Sequence, residues 1–182
     1  DLSGAAGALK VSLRYNKMNI DARNLLGLVY YEMGETVKAL SEWVISKSLA
    51  PDGNPAAGYL NDVQKNASQL ENANQTIKKF NQSLTYCQEG NYDLAVIQLK
   101  KVLSLNPKMV KGHQLLALLY MRDERYDLAM RSLRHAEKID VNNTNTLRYM
   151  EECKEHLRAN GKLKPSKAEE ETVTYQSGND II

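Results

Sequence analysis

Tyr86 and Tyr120 stand 34 residues apart, and so do Ala95 and Ala129. A period of this length constrains the fold more than composition does. Each copy must be one supersecondary unit that buries its apolar face against the next. An earlier copy, Leu26-Gly27…Tyr30…Gly34…Ala39…Trp43…Pro51, repeats the spacing of Leu116-Ala117…Tyr120…Ala129…Leu133. Tyr30 to Tyr86 is 56 residues, or 34 plus 22, so an insertion of 22 displaces the second copy. Ala5, Leu9 and Ser12 lie 34 residues before Ala39, Trp43 and Ser46, which places the start of the sequence within the second half of a repeat.

Each unit reads as two helices. The first carries an apolar face, as in Leu25, Leu26, Val29, Tyr30 and Met33, and the second carries Ala39, Leu40, Trp43 and Val44 at helical spacing. Turns are expected at Gly34, Gly90-Asn91 and Asp123-Glu124. Pro51 and Pro107 follow second helices, where proline cannot continue the helix. The small residues Gly27, Ser83, Ala117, Ala39, Ala95 and Ala129 let paired helices approach closely while Tyr30, Trp43, Tyr86 and Leu99 fill the space beside them.

The small residue, the Tyr, the turn, the Ala, the large apolar residue and the closing Pro, in register over three copies, resemble the tetratricopeptide repeat family. Gln82, where a Leu is expected, and Val141, where the Pro is expected, are local departures. The resemblance covers residues 1–158. It implies an all-α, right-handed superhelical solenoid of antiparallel helix pairs, in a fragment of a bacterial protein. The organisation expected is one solenoid over 1–159: a second helix of a partial repeat at 1–16, repeats at 20–53, 76–109 and 110–143, an inserted helical extension at 54–75, and a capping helix at 144–159. A polar tail, 160–182, follows Asn160-Gly161.

The insertion is polar, yet Leu60, Val63, Ala67 and Leu70 recur in steps of 3 and 4 and lead into Ile77 and Leu84. Twenty-two residues are about 6.1 turns, which nearly preserves helical phase. The expectation is therefore one elongated helix over 57–88, projecting beyond its neighbours. The alternative breaks it on Asn72-Ala73-Asn74-Gln75.

No catalytic constellation stands out. His113, His135 and His156 belong to different helices, and Glu152, Cys153 and His156 make an incomplete metal set. There is no P-loop, G-x-S-x-G or G-x-G-x-x-G. The reading is no enzyme, no metal and no cofactor. The net charge of +2 is interspersed, which gives no basic stripe for nucleic acid. No apolar run would span a bilayer, so no membrane contact is expected within this chain. Two separated cysteines, Cys87 and Cys153, suit a reducing compartment, and the location expected is cytoplasmic. The first residue is Asp rather than Met, so a fragment or processed chain is expected, with tethering to a membrane by flanking sequence as an alternative.

A protein-interaction scaffold fits best. In the family the concave face is lined by first helices, which implies Asn24, Leu25, Leu28 and Tyr31 from the first unit. The second unit would give Ile77, Asn81, Leu84 and Gln88. The third would give Lys111, Gln114, Leu115, Leu118, Met121 and Arg122, and the cap Tyr149. The family's basic-and-Asn clamp for a terminal carboxylate is matched only by Asn81 and Lys111, whereas Asn24, Leu28 and Leu115 depart from it. The groove reads apolar with a polar rim, suited to a peptide or helix of a partner. Two alternatives are a homo-oligomerisation module using the stripe Leu60, Val63, Ala67 and Leu70, and a regulatory domain of a larger membrane-tethered protein. Docking of Val173, Tyr175, Ile181 and Ile182 on an apolar groove, of this molecule or of a neighbouring copy, is a further expectation, with self-association as the alternative.

Overall fold

The computed structural model describes residues 1–161. The tail-docking residues Val173, Tyr175, Ile181 and Ile182 lie outside that range. The described residues form nine helices and no strands: α1 (Leu2–Tyr15), α2 (Ile20–Glu32), α3 (Thr36–Leu49), α4 (Ala56–Gln64), α5 (Ala67–Gln88), α6 (Tyr92–Leu105), α7 (Val110–Arg122), α8 (Tyr126–Ile139) and α9 (Thr144–Ala159). The fold is an all-α helical repeat of antiparallel hairpins.

Three of the hairpins close identically. Gly34, Gly90 and Glu124 have φ of 73°, 77° and 57°, the left-handed conformation that ends a helix. The next amide donates back to the tyrosine carbonyl four positions before the turn residue: Glu35 N to Tyr30 O, Asn91 N to Tyr86 O and Arg125 N to Tyr120 O, each 2.8 Å. Behind the turns, Ala39, Ala95 and Ala129 are fully buried, and Trp43, Leu99 and Leu133 pack beside them. A Cβ on Gly27 would lie 2.2 Å from Trp43 Nε1, so only glycine admits the indole there.

The insertion departs from a single helix over 57–88. The chain breaks at Lys65-Asn66, upstream of the polar Asn72–Gln75 ground. Asn66 leaves helical geometry and its side chain accepts from Gln69 N at 3.1 Å, capping α5. The cap satisfies an amide that a continuous helix would have bonded internally, and packing favours the bend. It lets α4 fold against α3, with Leu60 and Val63 buried in the core around Trp43 and the Tyr59 ring 5.2 Å from the indole. The stripe is thus divided. Leu60 and Val63 are buried, Leu70 is half-buried against the same core, and Ala67 is exposed. The elongated helix is α5 alone, 22 residues and about 33 Å at about 1.5 Å per residue.

That helix joins two layers. Its first turns lie on the core of α1–α4 through Leu70, and Gln69 Nε2 donates to the Tyr31 hydroxyl. Its last turns pair with α6 in a second core, through Phe80, Tyr86 and Cys87. The layers also meet end to end. The α2–α3 turn abuts the α6–α7 turn, where Asn106 Nδ2 donates to Gly34 O at 2.6 Å and Lys108 pairs with Glu32 at 3.0 Å. The start of α1 abuts the α8–α9 turn. There the fully buried Asp140 accepts from Leu2 N at 2.6 Å and Ser3 N at 3.2 Å, and Asn143 donates to Ser3 Oγ at 3.1 Å.

Candidate binding cleft

Where the layers meet, they leave a cleft. Its wall is the middle of α5, its opposite side is the start of α3, and its floor is the α6–α7 turn. An apolar cavity of about 290 Å³ lies at the start of α3, between Val37, Ala73, Ile77, Phe80 and Met109. A more polar recess of about 380 Å³ adjoins it, lined among others by Tyr31, Asn66, Gln69 and Asn72. Gly34, Thr36, Ala73 and Asn106 border both, so the two are one continuous cleft.

Three charges stand at the cavity. Glu35 pairs with Lys38 within its own helix start and with Lys111 of α7 at 3.1 Å. Burial alone would raise the Glu35 carboxyl, but hydrogen bonding and attraction from the two lysines outweigh it and hold it below its ordinary value. Burial, with the Lys111 ammonium nearby, pushes Lys38 down despite the carboxylate. Lys111 is raised, because the carboxylate outweighs its own burial. Two ammonium groups therefore share one carboxylate. The first turn of α3 has no side-chain cap. Thr76, 2% exposed, also lines the cavity, and its hydroxyl has no hydrogen-bond partner.

Of the residues expected on a concave groove, Ile77, Asn81 and Lys111 converge on the apolar cavity and Tyr31 lines the recess. The others are placed elsewhere. Asn24 is buried, donating to Asn54 Oδ1 at 2.9 Å while its carbonyl accepts from Trp43 Nε1 at 3.2 Å. Leu25 is exposed and Leu28 half-buried against the first core. Leu84 and Gln88 are exposed further along α5. Gln114 ties α7 to α9 through Asn143 Oδ1 at 3.0 Å and Thr146 Oγ1 at 2.8 Å. Met121 is buried in the second core, with Leu115, Leu118 and Tyr149 packed against it. Arg122 lies over the Tyr92 ring at 3.6 Å.

Sequence reasoning missed Val37, Lys38, Thr76 and Met109. They come from a second-helix start, a helix interior and a turn, and they meet only because the layers dock. His156 stacks on Tyr126 at 4.3 Å, and Cys153 is buried with its thiol pushed up to about 11 by burial and by Glu152. Among the described residues, no helix is long and apolar enough to cross a membrane.

A tetratricopeptide repeat model matches residues 79–109 and 110–143, the α5–α6 and α7–α8 hairpins. Solved structures similar to this chain include a protein of the APC/C hetero-tetramer Cut9–Hcn1, at 17% identity and TM-score 0.41, covering 80% of this chain and 25% of that one. The chain thus spans a quarter of that protein's length. MamA is 24% identical with TM-score 0.40, covering 88% of this chain and 80% of MamA. YrrB, described as a TPR protein with an unusual peptide-binding site, is 18% identical with TM-score 0.41, covering 82% of this chain and 84% of YrrB. No curated protein matches the sequence. Residues 79–143 thus match two consecutive tetratricopeptide repeats, and the α2–α3 hairpin closes by the same turn over the same Ala and large apolar residue, which supports the tetratricopeptide repeat family for this chain.

Proposed function

We propose that this chain is a non-catalytic interaction module, and that the cleft between its layers holds an extended segment of a partner protein. Tetratricopeptide repeats generally mediate protein–protein interactions. The observation that carries the reading is the cleft's make-up: an apolar cavity sized for one bulky side chain, continuous with a recess rimmed by Asn and Gln amides. Amides both donate and accept, so they can meet a peptide main chain whose own groups would otherwise lose their partners on burial. The wall from Asn66 to Asn81 is sixteen residues of α5 and its cap, about 22 Å long, or six to seven residues of extended chain at about 3.3 Å each.

The test is selection of peptides from a random display library on the intact chain, followed by binding measurements on Ile77→Asp. Ile77 is 36% exposed, so the variant should fold. Selected peptides should bind it at least about tenfold more weakly, since an apolar contact worth about 1.4 kcal/mol is lost. Undiminished binding by Ile77→Asp overturns the cleft. Binding lost instead in Leu25→Glu, at an exposed first-helix position, would move the site to the first-helix face.

A further inference from the structure

We infer that the cleft has a ligand within the chain itself: the segment Glu169–Tyr175, with Tyr175 in the apolar cavity and Glu169–Glu171 at Lys38 and Lys111. The inference rests on the reading that the cleft takes an extended peptide, and it names the occupant in the absence of a partner.

Four observations point to this segment. The cavity, about 290 Å³, is at the small end for a ligand pocket, so it takes a single large side chain. Its wall includes the buried, unpartnered Thr76 hydroxyl, and a phenol supplies the missing hydrogen bond where a leucine or phenylalanine cannot. Its mouth has an excess of positive charge. The Lys38 and Lys111 side chains, 48% and 50% exposed, have one Glu35 between them, and the uncapped first turn of α3 adds the positive end of its dipole. The run Glu169-Glu170-Glu171-Thr172-Val173-Thr174-Tyr175 combines three carboxylates with an aromatic four residues beyond the last of them.

The reach is sufficient. Tyr175 is fourteen residues beyond Gly161, about 46 Å of extended chain at about 3.3 Å per residue. Returning along α9, sixteen residues, uses about 24 Å. Crossing from α9 past α7 to α5 uses about 20 Å more, at about 8–10 Å per helix pair. By contrast, Ile181 and Ile182 have a single acidic side chain beside them, Asp180, and offer no side-chain hydroxyl to Thr76.

The experiment is hydrogen–deuterium exchange on the full chain, comparing wild type with Tyr175→Ala, Tyr175→Phe and the triple change of Glu169, Glu170 and Glu171 to Gln. None of these positions lies in the described helices. Amides in the first turn of α3 and around Ala73–Ile77 should exchange about fivefold faster in Tyr175→Ala and in the triple variant, with Tyr175→Phe between them and wild type. Ile77→Asp should show the same increase, and adding Tyr175→Ala to it should change nothing further. Equal exchange in wild type and Tyr175→Ala overturns the inference. An increase seen only at high protein concentration also overturns it, because the tail would then sit in a second copy. The two readings fail separately. If Tyr175→Ala is silent while Ile77→Asp still loses selected peptides, the cleft stands without its internal occupant. If Ile77→Asp keeps them, the cleft itself falls.

Discussion

Replacing Gly34 by Ala perturbs the docking of the layers, and Gly90→Ala is its matched control. The two glycines occupy equivalent turns with nearly equal φ, 73° and 77°. Both variants pay the left-handed penalty of an L residue, about 1 kcal/mol. Around Gly90 a Cβ meets nothing within 4 Å, so the cost ends there. At Gly34 it would lie 2.7 Å from the Lys108 carbonyl carbon, 2.8 Å from Met109 N and 2.9 Å from Asn106 Oδ1. The first two are backbone atoms that cannot swing aside, so the layers must part. Parting removes the Asn106–Gly34 hydrogen bond, about 1 kcal/mol, and some burial of Met109, about 1 kcal/mol more. The half-exposed Lys111–Glu35 pair adds little after screening. Gly34→Ala should therefore cost about 3 kcal/mol in urea titration against about 1 for Gly90→Ala, at similar m-values. Equal losses in the two variants, within about 0.5 kcal/mol, would refute the claim that the end-to-end contact holds the layers together.

Two other outcomes follow from the titratable groups. Glu35, held below its ordinary value of 4.5, contributes stability above that pH that is lost as the pH falls through its folded value; thermal melts of Glu35→Gln should be less stable than wild type near neutrality and converge with it in acid. Burial keeps the Cys153 thiol protonated, so iodoacetamide at neutral pH should leave it unmodified in the native protein and label it in urea, as mass spectrometry of the peptides would show.

The hairpins were legible because they are local and repeated. Three turns, three buried alanines and three large apolar partners announce one another at a fixed spacing, and the structure places them alike. The break at Asn66 had a local sign that the apolar stripe concealed. Asn66-Ala67-Ser68-Gln69 has the spacing of a helix start, with a capping side chain three residues before a Gln. Periodicity runs through such a bend because the residues on either side still face the same core. The docking of the layers left no pattern at all. Asp140 reads as an ordinary polar residue after α8, and only the structure shows its carboxylate taken by amides of Leu2 and Ser3. Asn24 misled for the opposite reason. First-helix residues that would line a groove and those that pack inward alternate within one turn, and its amide finds Asn54 instead of solvent.

The bond between the start of α1 and Asp140 closes a loop of 138 residues. Repeat arrays held only by neighbour contacts can nucleate anywhere and unzip from an end. In this chain the first helix is held by the last inter-helix turn among the described residues, so peeling α1 away also breaks the contact at the far side. Closing so long a loop is slow, and it carries an entropy cost that shorter pairings do not. The hairpins should therefore form early and the layer contact late. A nascent chain would carry α1 packed on α2 with its first turn unmatched until α8 and the turn after it have emerged, and from then on α1 and that turn should melt as one unit.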